Sequence, residues 1–259
     1  MGLRMIQKAF LIFFVVLSFP AYGEEVILSG RPGVAIPAQV LEPGFLQLQS
    51  GLYYYSLQSK AQGDSETRLM NHFLRFGVVD RVEVNLLSNY QLQDGDLSSA
   101  SSEGFSALSL GGRYLVRVGQ SSWVRSMALQ AELSLNQVSS EYRADQDAFG
   151  LTIASEHRLF QRSLLTINLG GIQGGGQASD SYFYRVAVNH PLTGQTEGFV
   201  EVYGGEQGGD WDTSFDFGIS RLTTPDMVFD LSMGYGRNDG VTELFLSAGI
   251  SLRAQIFGY

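Results

Sequence analysis

The chain contains no cysteine, so neither a disulfide framework nor a thiolate metal site can form. Lysine is almost as scarce, with Lys8 and Lys60 the only examples. A solvated protein surface normally displays many lysines. Their scarcity indicates that much of the exterior does not meet water. There are only three histidines, His72, His157 and His190, which leaves little material for imidazole chemistry. No stretch after the first twenty residues reaches the ~18 apolar residues that a spanning helix needs. If the chain crosses a membrane, it must cross as strands. Twenty-six acids outnumber seventeen basic residues with no basic stripe anywhere, which excludes nucleic acid as a partner.

The amino-terminal segment supplies a compartment. Arg4 and Lys8 precede the apolar run Ala9 to Phe19, interrupted only by Ser18 and closed by Pro20. Eleven such residues rise roughly 16 Å as a helix, about half a bilayer core. Ala21-Tyr22-Gly23 then offers the small-x-small pattern that a signal peptidase reads before Glu24. The expectation is a cleaved signal peptide over 1–23. Residues 24–43, broken by Pro32, Pro37 and Pro43, form an irregular lead-in that hangs in the periplasm or folds back as a plug. Residues 44–259 form the main domain. After cleavage twenty-six acids oppose fourteen arginines and one lysine, a net charge of −11.

From Gly44 onward apolar and polar residues alternate, the period-2 signature of strands with two different faces. Val82, Val84, Leu86, Tyr90 and Leu92 oppose Glu83, Asn85, Asn89 and Gln91. Met127, Leu129, Leu133 and Leu135 oppose Ser126, Gln130, Glu132 and Ser134. Phe215, Phe217 and Ile219 oppose Ser214, Asp216 and Ser220, and Phe229, Leu231 and Met233 oppose Asp230 and Ser232. About twelve segments follow this rule, near 45–57, 66–77, 81–92, 104–118, 124–136, 148–160, 164–173, 182–190, 197–204, 213–221, 227–236 and 242–254. They are longer than the ~5–6 residues of ordinary strands and suit a tilted bilayer crossing. Short connections alternate with longer polar ones, as in transmembrane barrels.

The expected fold is all-β: an antiparallel transmembrane β-barrel of about twelve strands, with both termini on the short-turn side. A soluble sandwich or lipocalin-like barrel shares the alternation. Missing lysines, strand length and aromatics near strand ends (Tyr53–Tyr55, Tyr90, Tyr114, Trp123, Tyr182, Tyr184, Tyr235) favour the membrane. The terminal Ile256-Phe257-Gly258-Tyr259 resembles in part the carboxy-terminal assembly signal of bacterial outer-membrane proteins.

Catalysis finds little support. Lipase-like chemistry needs a serine, a histidine and a group that orients the histidine, yet no Gly-x-Ser-x-Gly elbow or His-x-Ser motif occurs. Nor is there the Asp-His dipeptide of an omptin-like protease. Gly170 to Gly176 lacks the Gly-Lys-Ser/Thr ending of a phosphate cradle and precedes no helix. Gly208-Gly209-Asp210-Trp211-Asp212 only faintly echoes a calcium turn. No cofactor or metal is expected.

The polar faces carry the more useful signal. Glu83, Glu132, Glu156, Glu201, Asp216, Asp230 and Glu243 alternate inward with Arg75, Arg113, Arg158, Arg185 and Arg253. These twelve are the candidates for lining the lumen, either as a charged constriction or as a ladder of ion pairs that fills it. The longer connections carry twelve acids (Asp64, Asp94, Asp96, Glu103, Glu141, Asp145, Asp147, Asp180, Glu206, Asp210, Asp212, Asp239) against Lys60, Arg143 and Arg237. The outer mouth is therefore expected to be negative.

Three stretches carry a family resemblance. Gly30-Arg31-Pro32-Gly33 through Glu42-Pro43-Gly44-Phe45-Leu46-Gln47-Leu48-Gln49-Ser50-Gly51 resembles the opening block of the outer-membrane transporter family named for the MetA pathway of phenol degradation. Arg75-Phe76-Gly77-Val78-Val79-Asp80-Arg81-Val82-Glu83 and Asp230-Leu231-Ser232-Met233-Gly234-Tyr235-Gly236-Arg237-Asn238-Asp239-Gly240 are similar to two later blocks. Gly30 and Gln49 depart from the Asp and Glu frequent in relatives. The resemblance implies a passive outer-membrane channel or transporter for small molecules, aromatic or hydrophobic ones included. Its partners would be outer-membrane lipid and a small-molecule solute. A structural or partner-binding barrel with a plugged lumen, and less so an outer-membrane hydrolase, stay open as alternatives.

Overall fold

The computed structural model describes residues 26–59, 63–95, 101–119, 123–160, 162–174, 180–238 and 241–257. The signal-peptide segment, Lys60, Asp96, Asp239, Gly175, Gly176 and the terminal Tyr259 lie outside them.

Alternation becomes strands as expected. In chain order they are β1 (Phe45–Ser59), β2 (Gly63–Val79), β3 (Val82–Gly95), β4 (Ser102–Val118), β5 (Val124–Ser134), β6 (Ala148–Arg158), β7 (Leu164–Gly174), β8 (Ser181–Pro191), β9 (Thr196–Gln207), β10 (Asp210–Trp211), β11 (Thr213–Thr224), β12 (Met227–Asn238) and β13 (Val241–Gln255). The two-residue β10 only extends the β9–β11 hairpin, through Asp210 opposite Gln207 and Trp211 opposite Glu206. Each of the other twelve strands pairs antiparallel with its chain neighbour, and β1 pairs with β13 along its whole length from Phe45–Gln255 to Ser59–Val241. The sheet therefore closes into a twelve-strand barrel with no free edge, so every ladder group finds its partner within the wall.

Register sorts the side chains cleanly. Gln49 stands opposite Ser251, Glu83 opposite Arg113, Gln130 opposite Thr152 and Glu201 opposite Asp216. These residues are buried on the inner face. The alternate positions pair Leu110 with Leu133 and Phe217 with Met233 on the outer face, all four exposed. Along β12, Leu231 is 57% exposed while its neighbours Asp230 and Ser232 are 4% and 7% exposed. The barrel is thus apolar outside and polar inside, the reverse of a water-soluble barrel and the arrangement that a hydrocarbon surround requires.

Three expectations need adjustment. Tyr53 and Tyr55 do not join an outer girdle with Tyr54. Successive side chains on a strand point to opposite faces, and Tyr53 and Tyr55 stack inside with ring centroids 5.8 Å apart. Tyr54, Tyr114, Trp123 and Tyr182 are exposed. Secondly, the connections after β1 and β12 are not long loops: β2 resumes at Gly63 and β13 at Val241. Hydrogen bonding between the hairpin arms carries these strands past the point where apolar alternation fades, because polar residues pair equally well in water. Thirdly, the strands run from 11 to 17 residues apart from β10, longer at their outer ends than their apolar stripes.

The start of the barrel is tied to its end. Gly44 adopts φ +81°, a left-handed conformation natural only to glycine. Its carbonyl accepts the Ile256 amide at 2.8 Å and that of Phe257 at 3.3 Å.

Candidate functional site in the lumen

Residues 26–43 do not leave the barrel. They rise from the short-turn rim, bend within the lumen and return to the rim where β1 begins. Ile27 donates its amide to the Pro225 carbonyl of the β11–β12 turn at 2.8 Å. Ser29 Oγ lies 2.7 Å from Ser251 Oγ, and the Leu28 carbonyl accepts Gln47 Nε2 at 3.0 Å and an Arg75 N–H at 3.3 Å. A segment with three prolines cannot supply its own ladder of hydrogen bonds, so the wall supplies partners for its backbone instead.

Arg31 anchors the rising limb. Its Nε and NH2 donate to the Asp230 carboxylate at 3.2 and 2.9 Å, NH2 also to Ser247 Oγ at 2.9 Å, and NH1 to Tyr53 Oη at 2.7 Å. Gly51 and Gly249 face each other across β1 and β13 at this level. A Cβ on either would overlap the guanidinium. Their missing side chains make the slot.

The bend is held by three wall residues, two at Val34 and one at Ile36. The Val34 amide donates to Glu201 Oε2 at 2.8 Å and its carbonyl accepts Arg185 NH1 at 3.1 Å. Asn168 clamps Ile36, accepting its amide at 2.7 Å and donating to its carbonyl at 3.0 Å.

The returning limb meets the densest charge cluster. Glu83 takes Arg75 in a two-pronged pair, Nε to Oε1 at 2.8 Å and NH2 to Oε2 at 2.7 Å, and Arg113 NH1 lies 3.6 Å away. Arg113 also donates twice to Gln130 Oε1, at 3.0 and 2.7 Å. The spare N–H groups of both arginines reach the carbonyls of Pro37 and Gln39, and Glu83 accepts the Leu41 amide at 3.0 Å. Gln39 Nε2 donates to Glu156, which also accepts Ser126 Oγ. Charge-assisted bonds of this type are about twice as strong as neutral ones.

The twelve candidates therefore separate into groups. Arg75, Glu83, Arg113 and Glu156 come together around the returning limb, while Asp230, Glu201 and Arg185 each hold a different point of the lead-in. Asp216 is 1% exposed beside Glu201, and neither of its oxygens has a partner among the described residues. Glu243 is half-buried toward the outer end of β13 and Glu132 half-buried toward that of β5. Arg253 instead pairs with Asp226 of the β11–β12 turn at 2.7 Å, and Arg158 is exposed at the short-turn rim. Sequence reasoning passed over Arg31, Gln39, Asn168 and Gln130. Arg31 had a visible signal: it is the only basic residue of the lead-in, where isolation demands a distant partner. Uncharged amides carry no such signal.

The histidines form serine contacts rather than a catalytic relay. Ser50 Oγ meets His72 Nδ1 at 2.8 Å on the outer face, His157 Nε2 meets Ser155 Oγ at 3.0 Å, and Ser163 Oγ meets His190 Nδ1 at 2.9 Å. Among the described residues no carboxylate hydrogen-bonds to any of them.

The family model described as "Putative MetA-pathway of phenol degradation" matches residues 29–254, lead-in and barrel together. The chain belongs to this family. Among solved structures it is similar to the COG4313 outer membrane channel from Pseudomonas putida F1. The TM-score is 0.68 at 12% identity, over 87% of this chain and all of that one. The NanC porin (TM-score 0.52, 10% identity, 78% of this chain and 98% of that one) has a similar barrel. So does the β domain of the Bordetella autotransporter BrkA (0.53, 10%, 80% and 98%). At these identities the likeness is one of fold. No curated protein sequence matches the chain.

Proposed function

We propose that this member of the MetA-pathway family is an outer-membrane channel, passive, that passes small solutes through a lumen narrowed by its own residues 26–43. The observation that carries the reading is the inverted barrel: an apolar exterior for lipid around a polar interior. The COG4313 protein, whose fold this chain shares, is itself an outer membrane channel. An aromatic cluster on the inner wall supports aromatic solutes within that range. Tyr55 lies 5.6 Å and Tyr53 6.3 Å from Phe245, ring centroid to centroid, beside the Arg31 slot. The family's name, taken from a pathway of phenol degradation, points the same way.

A second reading is a structural barrel with a permanent plug. The number of backbone groups of the lead-in that the wall satisfies favours it. Current decides between them, since a plug admits none.

Reconstituted in a planar bilayer, the protein is expected to conduct in small steps and to prefer cations. Its outer rim carries exposed Asp64, Asp94, Asp145, Asp180 and Asp210. A concave mouth of one sign concentrates counter-ions within a Debye length of about 10 Å at 0.1 M salt. The reversal potential in a salt gradient should show that preference and should fade as salt rises. Changing Asp94, Asp145, Asp180 and Asp210 to Asn should weaken it. No conductance at all would return the chain to the plugged reading, and anion selectivity would assign the preference to the inner arginines.

A further inference from the structure

Beyond the lead-in, toward the long-loop mouth, the lumen holds a small cavity of about 110 Å³. Its polar lining includes Glu132, Gln130 and Arg185, and its apolar lining Ile36, Ile172 and Phe183. The floor is Ile36, from the bend of the lead-in.

Two features of this pocket are unusual. First, it holds one charge of each sign, and they do not pair: no ion pair joins Glu132 to Arg185 among the described residues. Arg185 has five N–H donors and, among the described residues, spends one, on the Val34 carbonyl. Its guanidinium lies 4.6 Å from the Phe183 ring centroid, which fixes its plane against an aromatic surface. Among the described residues Glu132 accepts only a long 3.4 Å bond from Gln130. Opposite charges left partly unsatisfied on the walls of one cavity call for a third party. Secondly, the space exists because β6 has a glycine there. Gly150 stands opposite both Glu132 and Ile172. A Cβ on it would meet Ile172 Cγ1 at 3.8 Å and Glu132 Cβ at 3.9 Å, ordinary contacts. Packing therefore does not require the glycine, and a larger side chain would point into the open space.

We propose that this pocket is a solute-binding site for small zwitterions with an apolar or aromatic body, molecules of the α-amino acid class. The carboxylate of the solute meets the free N–H groups of Arg185, its ammonium meets Glu132, and its body lies along Ile172, Ile36 and Phe183. The negative mouth agrees with this choice. It repels a simple carboxylate, whereas a molecule of zero net charge passes without that penalty. The proposal rests on the channel reading only for how the solute arrives, because binding itself needs no current.

The test uses the full barrel in detergent and three probes of nearly equal shape: L-phenylalanine, 3-phenylpropionate and 2-phenylethylamine. Titration calorimetry should show saturable binding of L-phenylalanine. The two singly charged analogues should bind about tenfold more weakly or worse, each having lost one charge-assisted bond. Glu132→Gln should erase the preference over 3-phenylpropionate, and Arg185→Gln the preference over 2-phenylethylamine. Gly150→Val should abolish binding of all three while the heat-dependent gel shift of the folded barrel persists. Equal binding of the three probes, or none by a barrel that still conducts, would overturn the proposal and leave the channel standing. Binding as described by a barrel that carries no current would overturn the channel and leave the pocket.

Discussion

Glu83→Ala should destabilise the barrel by about 3–5 kcal/mol, the cost of breaking a buried ion pair from one side. Glu83 is 0% exposed and is the shared acceptor of Arg75 and Arg113, which are both 2% exposed. Its removal leaves two guanidinium groups facing one another, with Glu156 the nearby acid among the described residues. The Leu41 amide loses its acceptor as well. Glu83→Gln should cost less, since one oxygen remains to accept. Reversible urea titration in lipid vesicles reads both values. A Glu83→Ala barrel within about 1 kcal/mol of wild type would mean that water already hydrates the cluster, as for an exposed pair.

Deletion of residues 26–41 should leave the barrel folded and raise its conductance several-fold. The wall closes by its own ladders, from β1–β13 round to β8–β9, and no strand uses the lead-in as a ladder partner. The groups the lead-in satisfies, Asn168, Glu201, Asp230 and the Arg75–Glu83–Arg113 cluster, would face water that fills the emptied lumen. Their loss is then a change of partner rather than a desolvation penalty. The heat-dependent gel shift reports folding, and single-channel recording reports current. A deletion that folds and conducts no better than wild type would place the constriction elsewhere in the lumen.

Much of the fold was legible because the barrel translates sequence parity directly into environment. In β3 the alternation of Val84 and Leu86 with Glu83 and Asn85 sets two faces, and a missing population of lysines says which face meets water. Ladder pairing then follows from chain order alone. What parity cannot express is how far a polar strand end keeps its partner, which is why the hairpins after β1 and β12 extend beyond their apolar stripes. It also misled at Tyr53–Tyr55, where chemical likeness suggested one girdle and the pleat sends the outer two of the three inward.

The lumen was legible by charge but not by partnership. Arg75, Glu83 and Arg113 fall on one face by parity, and their assembly follows from adjacent strands. Arg31 with Asp230, and Glu201 with Val34, join residues 199 and 167 positions apart through a segment that has no periodicity. Nothing local encodes such a meeting. The slot left by Gly51 and Gly249 is visible only once β1 and β13 are seen side by side.

The most direct test of the lead-in's course is a cysteine pair at Ser29 and Ser251. Their hydroxyl oxygens lie 2.7 Å apart, and Ser251 is 0% exposed on the inner wall. The chain has no cysteine of its own, so any bridge reports this pair alone. In outer membranes from cells expressing the double variant, mild oxidation should link the two thiols and block both from a maleimide until a reductant is added. A control pair at Ser29 and Ser134, near the outer end of β5, should stay unlinked. If the Ser29 and Ser251 cysteines remain free thiols under oxidation and both take up maleimide, the lead-in does not run inside the barrel.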